Sequence, residues 1–146
     1  PHSKRENMEG TGEMTEAWGN ATVVHLLKDL HMQERRPVPG QPGNPTLHLF
    51  AGLPASWMTP GQDFSIANAP TTLGTTVSVK LHAASATSLQ ITVDTGSKPT
   101  DLVLHIPVAA NQTIASVRVN GRPVAPSALL TIPAAAKLTA VDVRLK

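Results

Sequence analysis

From residue 46 onward, apolar side chains return at every second position, and this period of two most narrows what the chain can fold into. Val77, Val79 and Leu81 alternate with Ser78, Lys80 and His82, and Leu89, Ile91 and Val93 with Gln90, Thr92 and Asp94. Leu102, Leu104 and Ile106 alternate with Val103 and His105, Val117 and Val119 with Ser116 and Arg118, and Val141, Val143 and Leu145 with Asp142 and Arg144. Successive side chains of a strand point to opposite faces, so each run has one apolar face and one polar face. Thr46–Phe50, Asp63–Ile66 and Leu129–Ile132 are shorter runs of the same kind. Turn signals separate them: Ala83-Ala84-Ser85, Gly96-Ser97-Lys98-Pro99, Asn120-Gly121 and Pro133-Ala134. Asn-Gly is a strong signal for a two-residue hairpin, because both residues of a type I′ turn need positive φ. The fold predicted for residues 46–146 is mainly β, an antiparallel β-sandwich of about seven or eight strands.

Charge divides the chain at another place. Residues 1–36 carry 11 of the 22 charged side chains, including all five glutamates, and the remaining 110 residues contain four Asp and no Glu. Glu is depleted from sheets, which agrees with strands in the second part. Between the parts, residues 37–45 hold four prolines and two glycines, which forbid helix and favour an exposed linker. Before it, Met14 to Glu34 is predicted to form one long helix. Thr11 or Thr15 could cap it, and Glu13 and Glu16 complement its N-terminal dipole. Val23, Val24, Leu26, Leu27 and Leu30 make an apolar stripe, extended by Met14, Ala17 and Trp18, opposite Thr22, His25, Asp29 and Gln33. Leaving such groups in water forgoes ~1.5–3 kcal/mol for each large side chain. No second helix is predicted, so the stripe packs either on the β region or on helices of another segment or chain. Residues 1–13 are polar and predicted to be extended or poorly ordered.

Several function classes are excluded by what is missing. With no Cys there is no disulfide framework, thiolate metal site or cysteine nucleophile. The six histidines show no H-x-H or H-E-x-x-H pairing, so no metal site and no cofactor is predicted. Glycoside cleavage needs two carboxylates at controlled separation, and Asp63, Asp94, Asp101 and Asp142 read as solvated acids at strand ends and outer faces. No G-x-S-x-G elbow or glycine-rich phosphate loop occurs. Net charge is +2 with scattered basic residues, which argues against nucleic acid. No apolar run approaches the ~18 residues of a membrane span. No signal-peptide pattern opens the chain, so any export signal has been removed or lies outside this stretch, and a secreted or periplasmic setting stays open. Among the four aromatics, Phe50 and Phe64 sit in apolar strand contexts and are predicted core residues. Trp57 is either an exposed platform for a sugar ring or a packing group between the two regions.

Two segments carry a family resemblance. Glu16-Ala17-Trp18-Gly19-Asn20-Ala21-Thr22-Val23-Val24-His25-Leu26-Leu27 is followed by Leu47-His48-Leu49-Phe50-Ala51-Gly52-Leu53-Pro54-Ala55-Ser56-Trp57. Together, and in this order, they resemble the end of the (α/α)6-barrel glycoside hydrolases of the α-L-fucosidase and α-L-rhamnosidase kind. There a Gly-Asn pair starts the last barrel helix, and an L-L-P-A-L-P-x-x-W stretch opens a C-terminal β-sandwich. Gly19-Asn20 matches the first motif, and Leu49 to Trp57 the second, with departures that include Phe50 and Gly52. The resemblance implies that the helix is a remnant of a helical barrel whose other helices cover its stripe. It implies no catalytic residue here, because Trp18 stands where fucosidase-like members carry an aspartate before Gly-Asn. Glu16 is the nearest carboxylate, and it reads equally as a helix N-terminal charge. Trp18 would line a sugar site or sit in the barrel core, with Asn20 beside it.

These readings predict three parts: residues 1–36 as a polar segment and barrel helix, 37–45 as linker, and 46–146 as sandwich. The function they predict is non-catalytic support of a carbohydrate-processing enzyme, with a helical catalytic domain or another chain as partner. The alternative is a free-standing carbohydrate-binding or cell-surface adhesion module, and a small self-contained enzyme ranks last.

Overall fold

The structure is a computed structural model that describes residues 19–37, 39, 43–96, 98–135 and 137–146. Its helix, α1, covers residues 19–31 of this range, and ten strands follow. They are β1 (Met32–Arg35), β2 (Thr46–Leu49), β3 (Asp63–Pro70), β4 (Thr76–Ser85), β5 (Ser88–Asp94), β6 (Thr100–His105), β7 (Ile114–Val119), β8 (Arg122–Val124), β9 (Leu129–Ala135) and β10 (Leu138–Leu145). A 3-10 turn, Ala55–Trp57, lies between β2 and β3. One sheet has the order β1-β2-β6-β9 and the other β3-β4-β5-β10-β7-β8. The predicted sandwich is therefore present, with two short strands, β1 and β8, beyond those read from the sequence.

The alternating residues face where their period put them. Val77, Val79 and Leu81 of β4, Leu89, Ile91 and Val93 of β5, and Val141 and Val143 of β10 are all at most 2% exposed. They meet Met32, Leu47, Leu49, Leu102 and Leu104 of the smaller sheet in one apolar core. Phe50, predicted to be core, is buried. Asn120 and Gly121 have φ of 49° and 78°, as a type I′ turn requires, and join β7 to β8. Among the described residues, no buried side-chain polar atom lacks a hydrogen bond.

Two expectations are corrected. The helix stops at residue 31 instead of 34, because Met32 to Arg35 pair antiparallel with Leu49 to Thr46. Ladder formation with β2 overrides the fair helix propensity of Met, Gln, Glu and Arg. The carbonyls at the end of α1 find other donors: Phe50 N–H donates to His31 O (2.8 Å), and the Gln33 amide donates to Asp29 O (3.2 Å). Second, the smaller sheet is not wholly antiparallel, since β2 and β6 run parallel. The chain leaves β2, lays β3, β4 and β5 into the other sheet, and returns as β6 beside β2.

Candidate functional site

Helix α1 carries its apolar stripe on the outside of the molecule. Val23, Val24, Leu26 and Leu27 are 54%, 65%, 60% and 52% exposed, whereas Leu30 and His31 one turn on are half-buried. The C-terminal end of the helix is anchored. Gly52 makes that possible, because a Cβ there would lie 2.8 Å from Leu30 Cδ2 and 3.1 Å from Leu30 Cα. Beside the helix, Val24, Leu27, Lys28 and His31 face Ser65 to Pro70 of β3 across an open groove of about 460 Å³. Strand β3 is a sheet edge, and its ladder to β4 is broken between Ile66 and Ala69, where Asn68 has a φ of 52°. The groove thus combines an apolar helix face with an irregular strand edge, two features that favour contact with another protein surface.

Predicted site residues fall in different places. Glu16 and Trp18 lie outside the described residues. Asn20 is exposed near the start of the described part of α1. Trp57 is 47% exposed at the 3-10 turn and stacks on Phe64, with ring centroids 6.3 Å apart and 15° between planes. Phe64 is half-buried against the core rather than enclosed by it, and one face of Trp57 covers it. Trp57 and Asn20 belong to separate elements, and no described contact joins them.

Two polar clusters went unread in the sequence. On the outer face of the smaller sheet, His48 Nδ1 and His105 Nε2 are 3.0 Å apart. The rings share one hydrogen, one nitrogen donating and the other accepting. Burial, then the Arg35 guanidinium and His105, hold His48 below its ordinary pKa; burial and then Arg35 do the same for His105. On the larger sheet, Asp63 accepts from Lys80 Nζ at 2.7 Å and contacts His82 Nδ1 at 2.6 Å. These hydrogen bonds, that of Lys80 first, hold the Asp63 carboxyl below the usual range. The cluster lies on an open face, where such pairs add little stability. Register explains why spacing missed both: His48 reaches His105 through the parallel β2–β6 pairing, and Asp63 lies opposite His82. Among the described residues no three His, Asp or Glu side chains converge as metal ligands, and no described helix is long and apolar enough to cross a membrane.

No family model and no curated protein matches the chain. Among solved structures, it is similar to a mutant GH31 dextranase of Flavobacterium johnsoniae complexed with isomaltotriose, at 14% identity and a TM-score of 0.48. The match covers 79% of this chain and 19% of that one, so the chain spans about a fifth of its neighbour's length. That neighbour is a glycoside hydrolase, although not of the fucosidase or rhamnosidase kind to which the two sequence motifs pointed. A likeness of this degree carries no functional argument.

Proposed function

We propose that this chain is a non-catalytic β-sandwich region of a carbohydrate-processing enzyme, docked through α1 onto a helical catalytic domain. The observation that carries the reading is the exposed stripe of Val23, Val24, Leu26 and Leu27. Covering four such side chains is worth about 1.5–3 kcal/mol each, enough to hold two domains in register. A surface that takes a helix by its apolar face is most simply made of other helices, whose ridges fit the grooves between i, i+3 and i+4 side chains. The Gly19-Asn20 and Leu49 to Trp57 motifs supply the carbohydrate-enzyme context by resemblance.

Light scattering on the chain produced alone tests this. The uncovered stripe should drive self-association, and Val23→Lys with Leu26→Lys should return a monomer of unchanged melting temperature. A monomeric parent chain would sink the docking role. The second reading, a free-standing binding module, is favoured by the exposed face of Trp57. Capture on neutral glycan gels that disappears in Trp57→Ala would establish it instead.

A further inference from the structure

At the end of the sandwich where β1 finishes and β2 and β6 begin, several connections surround an open cleft of about 690 Å³. Arg36 follows β1, Asn44 precedes β2, Thr72 sits in the β3–β4 turn, Lys98 precedes β6, and Asp101 lies within it. The volume falls in the ~300–1,000 Å³ range of small-ligand sites.

The charges of this cleft do not balance. Glu34 of β1, close by, is engaged: it accepts from Thr72 N–H at 2.8 Å and from the Thr72 hydroxyl, and it pairs with Lys28 at 3.8 Å. Asp101 is engaged too, accepting from Ala134 N–H at 2.6 Å and from the Asn44 amide at 3.5 Å. The cations are not engaged in this way. The Arg36 guanidinium makes one long donation, 3.5 Å to Thr72 O, and among the described residues neither Arg36 nor Lys98 has a carboxylate partner. Lys98 Nζ lies over the β3–β4 turn, 3.0 Å from where a Cβ of Gly74 would sit. Arg36 and Lys98 against the one carboxylate of Asp101 therefore leave the cleft lining with a net positive charge, beside the Asn44 amide.

We propose that this cleft binds an acidic saccharide. The anionic group lies against Arg36, whose fork matches a carboxylate or sulfate, with Lys98 as a second point charge. Neighbouring sugar hydroxyls donate to Asp101 and exchange hydrogen bonds with Asn44. Pro37, Pro45 and Pro99 supply rigid apolar walls for the C–H faces of a ring. The preference for an anion stands on the charges of the cleft; the choice of a sugar rests on the carbohydrate-processing reading above.

Calorimetric titration of the full chain tests it with four probes: an oligogalacturonate, a sulfated disaccharide, a neutral maltooligosaccharide and inorganic phosphate. At least one of the two acidic sugars should bind, and which one binds tells carboxylate from sulfate. The neutral sugar should not bind, and phosphate should bind much more weakly. Arg36→Gln with Lys98→Gln should weaken the acidic sugar at least about tenfold, and added salt should weaken it in the parent chain. Both side chains are exposed, so the variant should melt with the parent. Failure of both acidic sugars to bind, equal binding by the double variant, or equal affinity for phosphate would overturn the proposal. Because this readout is ligand binding and that for docking is association state, either reading can fail without the other.

Discussion

Leu104 in β6 and Leu26 in α1 have the same side chain in opposite circumstances, one fully buried and the other 60% exposed. The sandwich buries most of its apolar groups between its two inner faces, Leu129 and Leu138 excepted, and among the described residues no buried side-chain polar atom lacks a hydrogen bond. Helix α1 meets it at the C-terminal end, through Gly52 and the His31 carbonyl, and leaves Val23, Val24, Leu26 and Leu27 outside. The difference teaches where each region finds its stability. Local packing is sufficient for the β region, whereas the helix is apolar beyond what this fold can use.

The sharpest test deletes the same atoms in both regions. Leu104→Ala should cost about 2–5 kcal/mol in denaturant unfolding, through lost burial and the cavity left behind. Leu26→Ala, compared with the parent at concentrations low enough for both to be monomeric, should change stability by less than about 0.5 kcal/mol. Similar losses at both positions would break the comparison. Next in size is the joint between the regions. Gly52→Val should destabilise by about 1–3 kcal/mol, since its side chain must displace Leu30 at the helix end, and hydrogen exchange in α1 should change with it. Gly121→Ala places a Cβ at positive φ and should cost about 1–2 kcal/mol, with no effect on exchange in the helix. The smallest effect is expected from pH. His48 and His105 have folded-state pKa values below 6.5, so the folded chain binds fewer protons than the unfolded chain. Stability then rises with pH in that range and is lost as pH falls through 6.5 and below. Melting temperatures of His48→Gln with His105→Gln should fall less on acidification than those of the parent. Equal slopes would show that burial and the nearby Arg35 do not disfavour protonation of these rings in the folded chain.

Much of the sandwich was legible because its evidence is local. Val77 to His82 announces a half-buried strand by alternation alone, and Asn120-Gly121 announces its turn by backbone sterics. Strand β1 was not legible: Met32-Gln33-Glu34-Arg35 is a good helical sequence, and only β2 lying alongside makes it a strand. Strand β8, with Pro123 among three residues, is too short to show a period. The polar clusters were hidden for a different reason. His48 and His105 are 57 residues apart, and no spacing rule connects them before β2 and β6 are known to be neighbours. The cleft is further still from the sequence, since Arg36 and Asn44, Thr72, and Lys98 come from three separate connections.

Taken alone, the residue order fixed which side of each long strand faces inward, where the Asn-Gly hairpin turns, and that an apolar helix precedes a glutamate-free β region. Those properties depend on steric and burial preferences within a few residues. The tertiary structure decided where α1 ends, that β2 runs parallel to β6, that the helix stripe faces outward, and that Arg36 and Lys98 share one cleft. Each of these depends on which distant segments compete successfully for the same sheet edge or surface, a balance of pairing and burial against chain closure that no short window of sequence contains.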